Sequence, residues 1–209
     1  MPIQLPATHH PEALPARLLT SQWALLNTGP DEGPVLDLAC GSGQNGLWLA
    51  QQGYTVDFVD RSDEALAHIR TVLARDGHPC LCQTSECVEP RRAGTAGTHR
   101  LLKVDLESGL RPMLPGAHYA AILVFRYLHR PLIPAILAAL KPGGILMYET
   151  FTREQARFGR PRNPDLLLEP EEVLTWLPGV APLFYREGIE DTGGQPRAIA
   201  QLVIRRPAD

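Results

Sequence analysis

The chain has 209 residues, a length that favours one domain and lets a sizeable core form without disulfide or metal staples. Its 44% hydrophobic and 21% charged residues are those of an ordinary globular protein. The net charge of -3 argues against general nucleic-acid binding, which needs a basic surface.

The first residues, Met1-Pro2-Ile3-Gln4-Leu5-Pro6, lack a basic-then-apolar leader pattern. No apolar run approaches the roughly 18 to 20 residues that cross a bilayer. The expected compartment is the cytoplasm. Residues 1–30 are Pro-rich and then helical in pattern. Leu18, Leu19, Trp23, Leu25 and Leu26 fall close to one face, which predicts an N-terminal helix, in the position of a lid, ahead of a single domain over 31–209.

From Gly33 strands and helices alternate. Val35 to Ala39 reads as a strand, Gln44 to Gln52 as a helix stopped by Gly53, and Tyr54 to Val59 as a second strand. Ser62 caps a helix through Arg75, with Asp63 and Glu64 at its positive end. Residues 77–98, rich in Gly, Pro, Thr and Cys, read as an irregular insertion. Within it His78, Cys80, Cys82 and Cys87 make a loose H-x-C-x-C-x4-C group, read as free thiols rather than a metal site.

Arg100 to Val104 is the third strand. His118 to Phe125 is a fourth, apolar enough to be covered on both faces. A helix over Pro131 to Leu140 ends at Lys141-Pro142-Gly143-Gly144, and Ile145 to Thr150 is the fifth strand. A long Arg- and Pro-rich loop covers 151–168. Glu169 to Leu177 is predicted as a helix. Val180 to Gly188 and Arg197 to Ile204 complete a hairpin across Asp191-Thr192-Gly193-Gly194. The expected architecture is α/β: a doubly wound, mostly parallel seven-stranded sheet with a C-terminal antiparallel hairpin. Ligands of such sheets bind at the carboxyl ends of the strands.

The chemistry-bearing residues fall at those ends. Asp37-Leu38-Ala39-Cys40-Gly41-Ser42-Gly43-Gln44-Asn45-Gly46 holds a literal G-x-G-x-x-G between strand and helix. Its glycines allow a sharp turn and close backbone approach, and the helix start offers free N–H groups. Asp37, buried in an apolar strand, suits a ligand carrying positive charge better than a pyrophosphate. Asp60, followed by Arg61, ends the second strand 19 residues after Gly41, where a carboxylate can accept ribose hydroxyls. Asp105 ends the third strand and can accept an adenine amine, with Leu106 packing on the ring.

These motifs resemble the class I, Rossmann-like S-adenosylmethionine-dependent methyltransferases. Val35 through Gly43 matches that family's first motif, and Asp60, Asp105 and Leu140-Lys141-Pro142-Gly143-Gly144 match later ones in order. Gly43 through Ala50 is weakly similar to the tellurite-resistance and thiopurine small-molecule group. The resemblance implies S-adenosylmethionine as cofactor, held by Asp37, Ala39, Cys40, Gly41, Gly43, Asp60, Arg61, Asp105, Leu106 and the strand end at Phe125 and Arg126. It implies an in-line methyl transfer in which positioning supplies most of the acceleration.

His129, Glu149 and Tyr127 are the candidate catalytic groups, His129 because its pKa lies near neutrality. Arg130, Arg157 and Arg160 are candidate substrate contacts, since guanidinium forks match carboxylates and phosphates. They point to a small, acidic acceptor. Two alternatives stay open: an RNA or protein methyltransferase with the same cofactor site, and an NAD-binding oxidoreductase, which the literal G-x-G-x-x-G and Asp60 also fit.

Overall fold

The computed structural model describes residues 14–26, 32–91, 97–108, 114–191 and 194–208. Two short helices, α1 (Arg17–Ser21) and α2 (Trp23–Leu26), precede the sheet. Six strands follow, β1 (Val35–Leu38), β2 (Val56–Asp60), β3 (Cys80–Thr84), β4 (His99–Lys103), β5 (Tyr119–Phe125) and β6 (Leu140–Phe151), with helices α3 (Gln44–Gln51), α4 (Asp63–Arg75) and α5 (Ile133–Ala139) between them. β7 (Phe184–Asp191) and β8 (Pro196–Arg205) close the chain. The strand order is β3-β4-β2-β1-β5-β6-β8-β7. All pairs from β3 to β6 are parallel; β8 runs antiparallel to both β6 and β7.

β1, apolar but for Asp37, and the apolar run of β5 are buried on both faces. One face carries α1 to α4, whose Leu18, Leu19, Leu47 and Ile69 pack on Val35, Phe58, Leu123 and Met147. The other carries α5, whose Ile136 packs among Leu36, Val59, Ile122 and Leu146. In α4, Leu66, Ile69, Val72 and Leu73 line the buried side, and Ser62 Oγ accepts the Ala65 N–H at 3.2 Å.

Among the described residues the sheet has eight strands, not seven. The added strand is Cys80–Thr84, inside the segment read as an irregular insertion. It is an edge strand, with Leu81 46% exposed, so it lacks the apolar alternation that marks a half-buried strand. Further along that segment Arg91 is tied to the sheet. Asp57, fully buried, accepts from Arg91, from Arg100 Nε at 3.0 Å and Nη2, and from the Tyr119 hydroxyl at 3.0 Å.

The predicted helix over 169–177 is also corrected. Only a 3-10 turn forms, Glu172–Thr175, because Glu171 sits at φ 59° and Glu172 turns its carboxylate to Arg130 and the Glu169 N–H. The N-terminal helix is split at Gln22, and Leu18, Leu19 and Leu26 anchor both halves to the core. The tip of the C-terminal hairpin, residues 192 and 193, lies outside the described residues. Among the described residues no helix is long and apolar enough to cross a membrane.

Candidate functional site

Past Leu38 the backbone turns through left-handed conformations at Ala39, Gly41 and Gly43 before α3 begins. At Gly43 a side chain would be strained by φ 75° and would meet Ile69 Cγ1 at 2.6 Å. At Gly46 a Cβ would collide with the Phe58 ring and stand 2.8 Å from Asp37 Oδ2. These glycines therefore let α3 lie close on the sheet, directly above the buried carboxylate. Asp37 is 2% exposed, and its Oδ2 accepts the Gly46 N–H at 2.8 Å. Burial pushes its pKa up to about 7; the Gly46 bond opposes that rise and the nearby Asp60 adds to it.

Asp60 brackets the turn from the next strand. Its Oδ2 accepts the Gly41 N–H at 2.8 Å and its Oδ1 the Ser62 N–H at 2.9 Å. The half-buried Cys40 thiol is pushed well up by burial and then by Asp37 and Asp60, so the turn lies in a negative field.

A cavity of about 170 Å³ opens beside this turn, lined by Ala39, Asp60, Arg61, Val104, Asp105, Leu106, Glu107 and Tyr127. Asp105 Oδ1 caps the Glu107 N–H at 3.0 Å, and Leu106 presents a buried apolar wall. The Tyr127 hydroxyl is buried and completes no hydrogen bond among the described residues. Burial and the adjacent Glu107 carboxylate raise its pKa, so the phenol stays protonated.

A family model for a methyltransferase domain matches residues 8–181. The chain belongs to that family. Solved structures agree on the fold. A TehB structure from Haemophilus influenzae superposes with a TM-score of 0.64 at 16% identity, over 90% of this chain and 61% of that one. The chain thus spans less than two thirds of that relative's length. A SAM-dependent methyltransferase from Methanosarcina mazei gives 0.60 at 16% identity, over 89% of this chain and 98% of the other. The [4+2]-cyclase SpnF gives 0.61 at 16% identity, over 91% and 84%. No curated protein matches by sequence. A cyclase among the neighbours means that the fold leaves the chemistry open, and the side chains must decide it.

In this methyltransferase-family chain the catalytic candidates just past β5 and on β6 separate. Tyr127 faces the cavity, while Glu149 lies on the sheet face that carries Met147 and α1. Glu149 is 4% exposed, accepts from Gln201 Nε2 at 2.8 Å, and has its pKa raised, chiefly by burial. Arg126, held at φ 58°, donates its backbone N–H to the Glu149 carbonyl at 2.7 Å and sets its guanidinium 5.9 Å from the Phe151 ring centre. His129 is half-buried at the start of the 3-10 turn Arg130–Leu132 and is not among the residues that line the cavity.

The three arginines expected to meet substrate also divide. Arg130 turns inward: Nε and Nη2 grip Glu172 at 2.7 and 2.8 Å, and the other donors reach the Asp165 and Leu167 carbonyls at 2.8 Å. It is a strut under the loop after β6, because four of its five donors have internal acceptors. Arg157 and Arg160 stay exposed, Arg157 beside Glu154 at 3.3 Å and over the Phe158 ring. Glu107, Glu172, Arg197 and Gln201 are the residues that sequence reasoning missed. For Glu107 a signal existed, since Asp105-Leu106-Glu107 places a second acid on the same strand end. Gln201 is found only through its register opposite Glu149.

Proposed function

We propose that this chain transfers a methyl group from S-adenosylmethionine to a small, acidic molecule. The observation that carries the donor assignment is the pair of carboxylates, Asp37 below and Asp60 beside the glycine turn, which makes the turn attractive to a cation and hostile to a pyrophosphate. That field disfavours an NAD-binding reading of the same G-x-G-x-x-G. The buried, unsatisfied Tyr127 hydroxyl and the second acid pair, Asp105 and Glu107, fit a polar heterocycle in the cavity.

S-adenosylmethionine supplies a methyl group bonded to a cationic sulfur. Around it the chain positions and screens. The backbone of Ala39, Cys40, Gly41 and Gly43 would hold the amino-acid end, and Asp37 would balance its ammonium through the turn. Asp60, with Arg61 beside it, would accept the ribose hydroxyls. Asp105 and Glu107 would accept from the adenine amine, and Leu106 would cover the ring. Phe125 and the Arg126 backbone would complete the site on the sulfur side. Glu149 takes the proton of the acceptor's nucleophile, with His129 as the second candidate, and Tyr127 serves as a neutral donor on the cofactor side. Arg157 and Arg160 attract an anion to the mouth. The free thiols at Cys40, Cys80, Cys82 and Cys87 support a reducing compartment, the cytoplasm.

Calorimetric titration with S-adenosylhomocysteine and, separately, NAD tests the donor. The expected result is saturable binding of S-adenosylhomocysteine and none of NAD. The reverse order of affinities overturns the assignment.

A further inference from the structure

Beside Glu149 the sheet gathers charge from four strands. Glu149 pairs with Gln201 and Gln201 with Arg186; Phe151 pairs with Ile199 and Ile199 with Gly188; Arg197 pairs with Glu190. Residues paired across a sheet, and residues two apart along a strand, share a face. All of these therefore look out on one side, at the carboxyl end where β5 also delivers Arg126.

The charges in this group are unequally matched. Glu190 is approached by two cations, Arg17 from α1 at 3.9 Å and Arg186 at 3.8 Å. Arg126 lies in the field of Arg197, Glu149 and Glu190, and Arg197 stands opposite Glu190, yet neither guanidinium has a hydrogen bond or ion pair among the described residues. Between them β6 presents Phe151, and on β7, beyond Arg197, Gly188 has nothing within 4 Å of where its Cβ would be. Phe151 supplies an apolar wall and Glu149, fixed by Gln201, the floor. Arg126 reaches this place from a left-handed backbone that only tertiary structure maintains, a conformation concentrated at ligand clamps.

We infer that Arg126 and Arg197 form a clamp for the carboxylate of the methyl acceptor, seated beside Phe151. This rests on the methyl-transfer reading above and deepens it. Two guanidiniums without a hydrogen bond or ion pair among the described residues attract an anion. The planar fork of a guanidinium also fits the two oxygens of a carboxylate. The apolar wall at Phe151 accommodates the body of the acid, and Glu149 is left beside it for the nucleophile.

The test is calorimetry on the whole chain saturated with S-adenosylhomocysteine, titrated with acetate, phenylacetate and benzoate, and with inorganic phosphate in a separate arm. At least one carboxylate is expected to bind, more tightly than phosphate. Arg197→Ala and Arg126→Gly should each weaken it at least tenfold, Arg197→Lys less, and Arg70→Ala on the far surface of α4 not at all. The affinity for S-adenosylhomocysteine should stay within threefold in the Arg197 and Arg70 variants. The inference falls if no carboxylate binds, if phosphate binds better, if the Arg126 and Arg197 variants bind carboxylate as well as the parent, or if the Arg197 variants lose S-adenosylhomocysteine instead. Failure of the parent chain to bind S-adenosylhomocysteine at all would sink the donor assignment, a separate result.

Discussion

Gly46 donates its N–H to Asp37 Oδ2 at 2.8 Å, and the same oxygen stands 2.8 Å from where a Cβ on Gly46 would lie. The third glycine of the turn is thus set by its neighbour below rather than by a ligand above. Gly46→Ala must displace the Phe58 ring and the carboxylate together. Overpacking of this kind costs ~1–3 kcal/mol. The expected outcome is a lower Tm by differential scanning calorimetry, with weaker S-adenosylhomocysteine binding because the turn shifts.

Asp37 carries a pH signature. Its folded pKa of about 7 lies above the ordinary 3.8, so between those values the folded chain holds a proton that the unfolded chain has released. Stability is therefore full below about pH 4 and declines as pH rises toward 7, by at most about 1.4 kcal/mol per pH unit. Asp37→Asn should flatten that decline in urea titrations at pH 4.5, 5.5 and 6.5. The ammonium of the bound ligand favours the ionised form, so affinity for S-adenosylhomocysteine should rise from pH 6 to pH 8 in the parent and not in Asp37→Asn.

Asp57 anchors two guanidiniums and a phenol at the opposite end of the sheet. Removing it strands buried charge, which costs ~3–5 kcal/mol. Asp57→Ala should lower Tm sharply and expose the segment around Arg91 to limited proteolysis. In whatever fraction remains folded, S-adenosylhomocysteine affinity should be unchanged, since Asp60 and Gly41 lie at the far end of β2.

Arg130 and Arg157 separate structure from recognition. Arg130→Ala leaves the half-buried Glu172 carboxylate and two carbonyls without their donor, a loss of ~1–3 kcal/mol. It should lower the midpoint of chemical denaturation. Arg157→Ala, whose side chain is 70% exposed in its pair with Glu154, should leave that midpoint unmoved.

What the sequence discloses here follows the range of the interactions. The glycine turn, the Ser62 cap and the apolar runs of β1 and β5 are local patterns, and each lies where the pattern predicts. Cys80–Thr84 escapes because an exposed edge strand needs no apolar face. The Asp57 tie joins residues 34 and 43 positions apart, and the Arg130–Glu172 strut spans 42, distances at which no periodicity speaks. The group around Glu149 depends on strand register across β6, β8 and β7, so Arg197 and Gln201 become visible only once the sheet is assembled.

The anchoring at Asp57 also gives this protein a brace of its own away from the candidate site. Arg91 is fastened to Asp57 and to the Thr98 carbonyl at 2.6 Å, and Gly97 donates to Thr55 Oγ1 at 3.2 Å. The end of the sheet that holds Asp57 is thus secured independently of the end that holds Gly41 and Asp60, so surface labels placed on Thr55 or Thr98 would report on a folded protein whose chemistry is left alone.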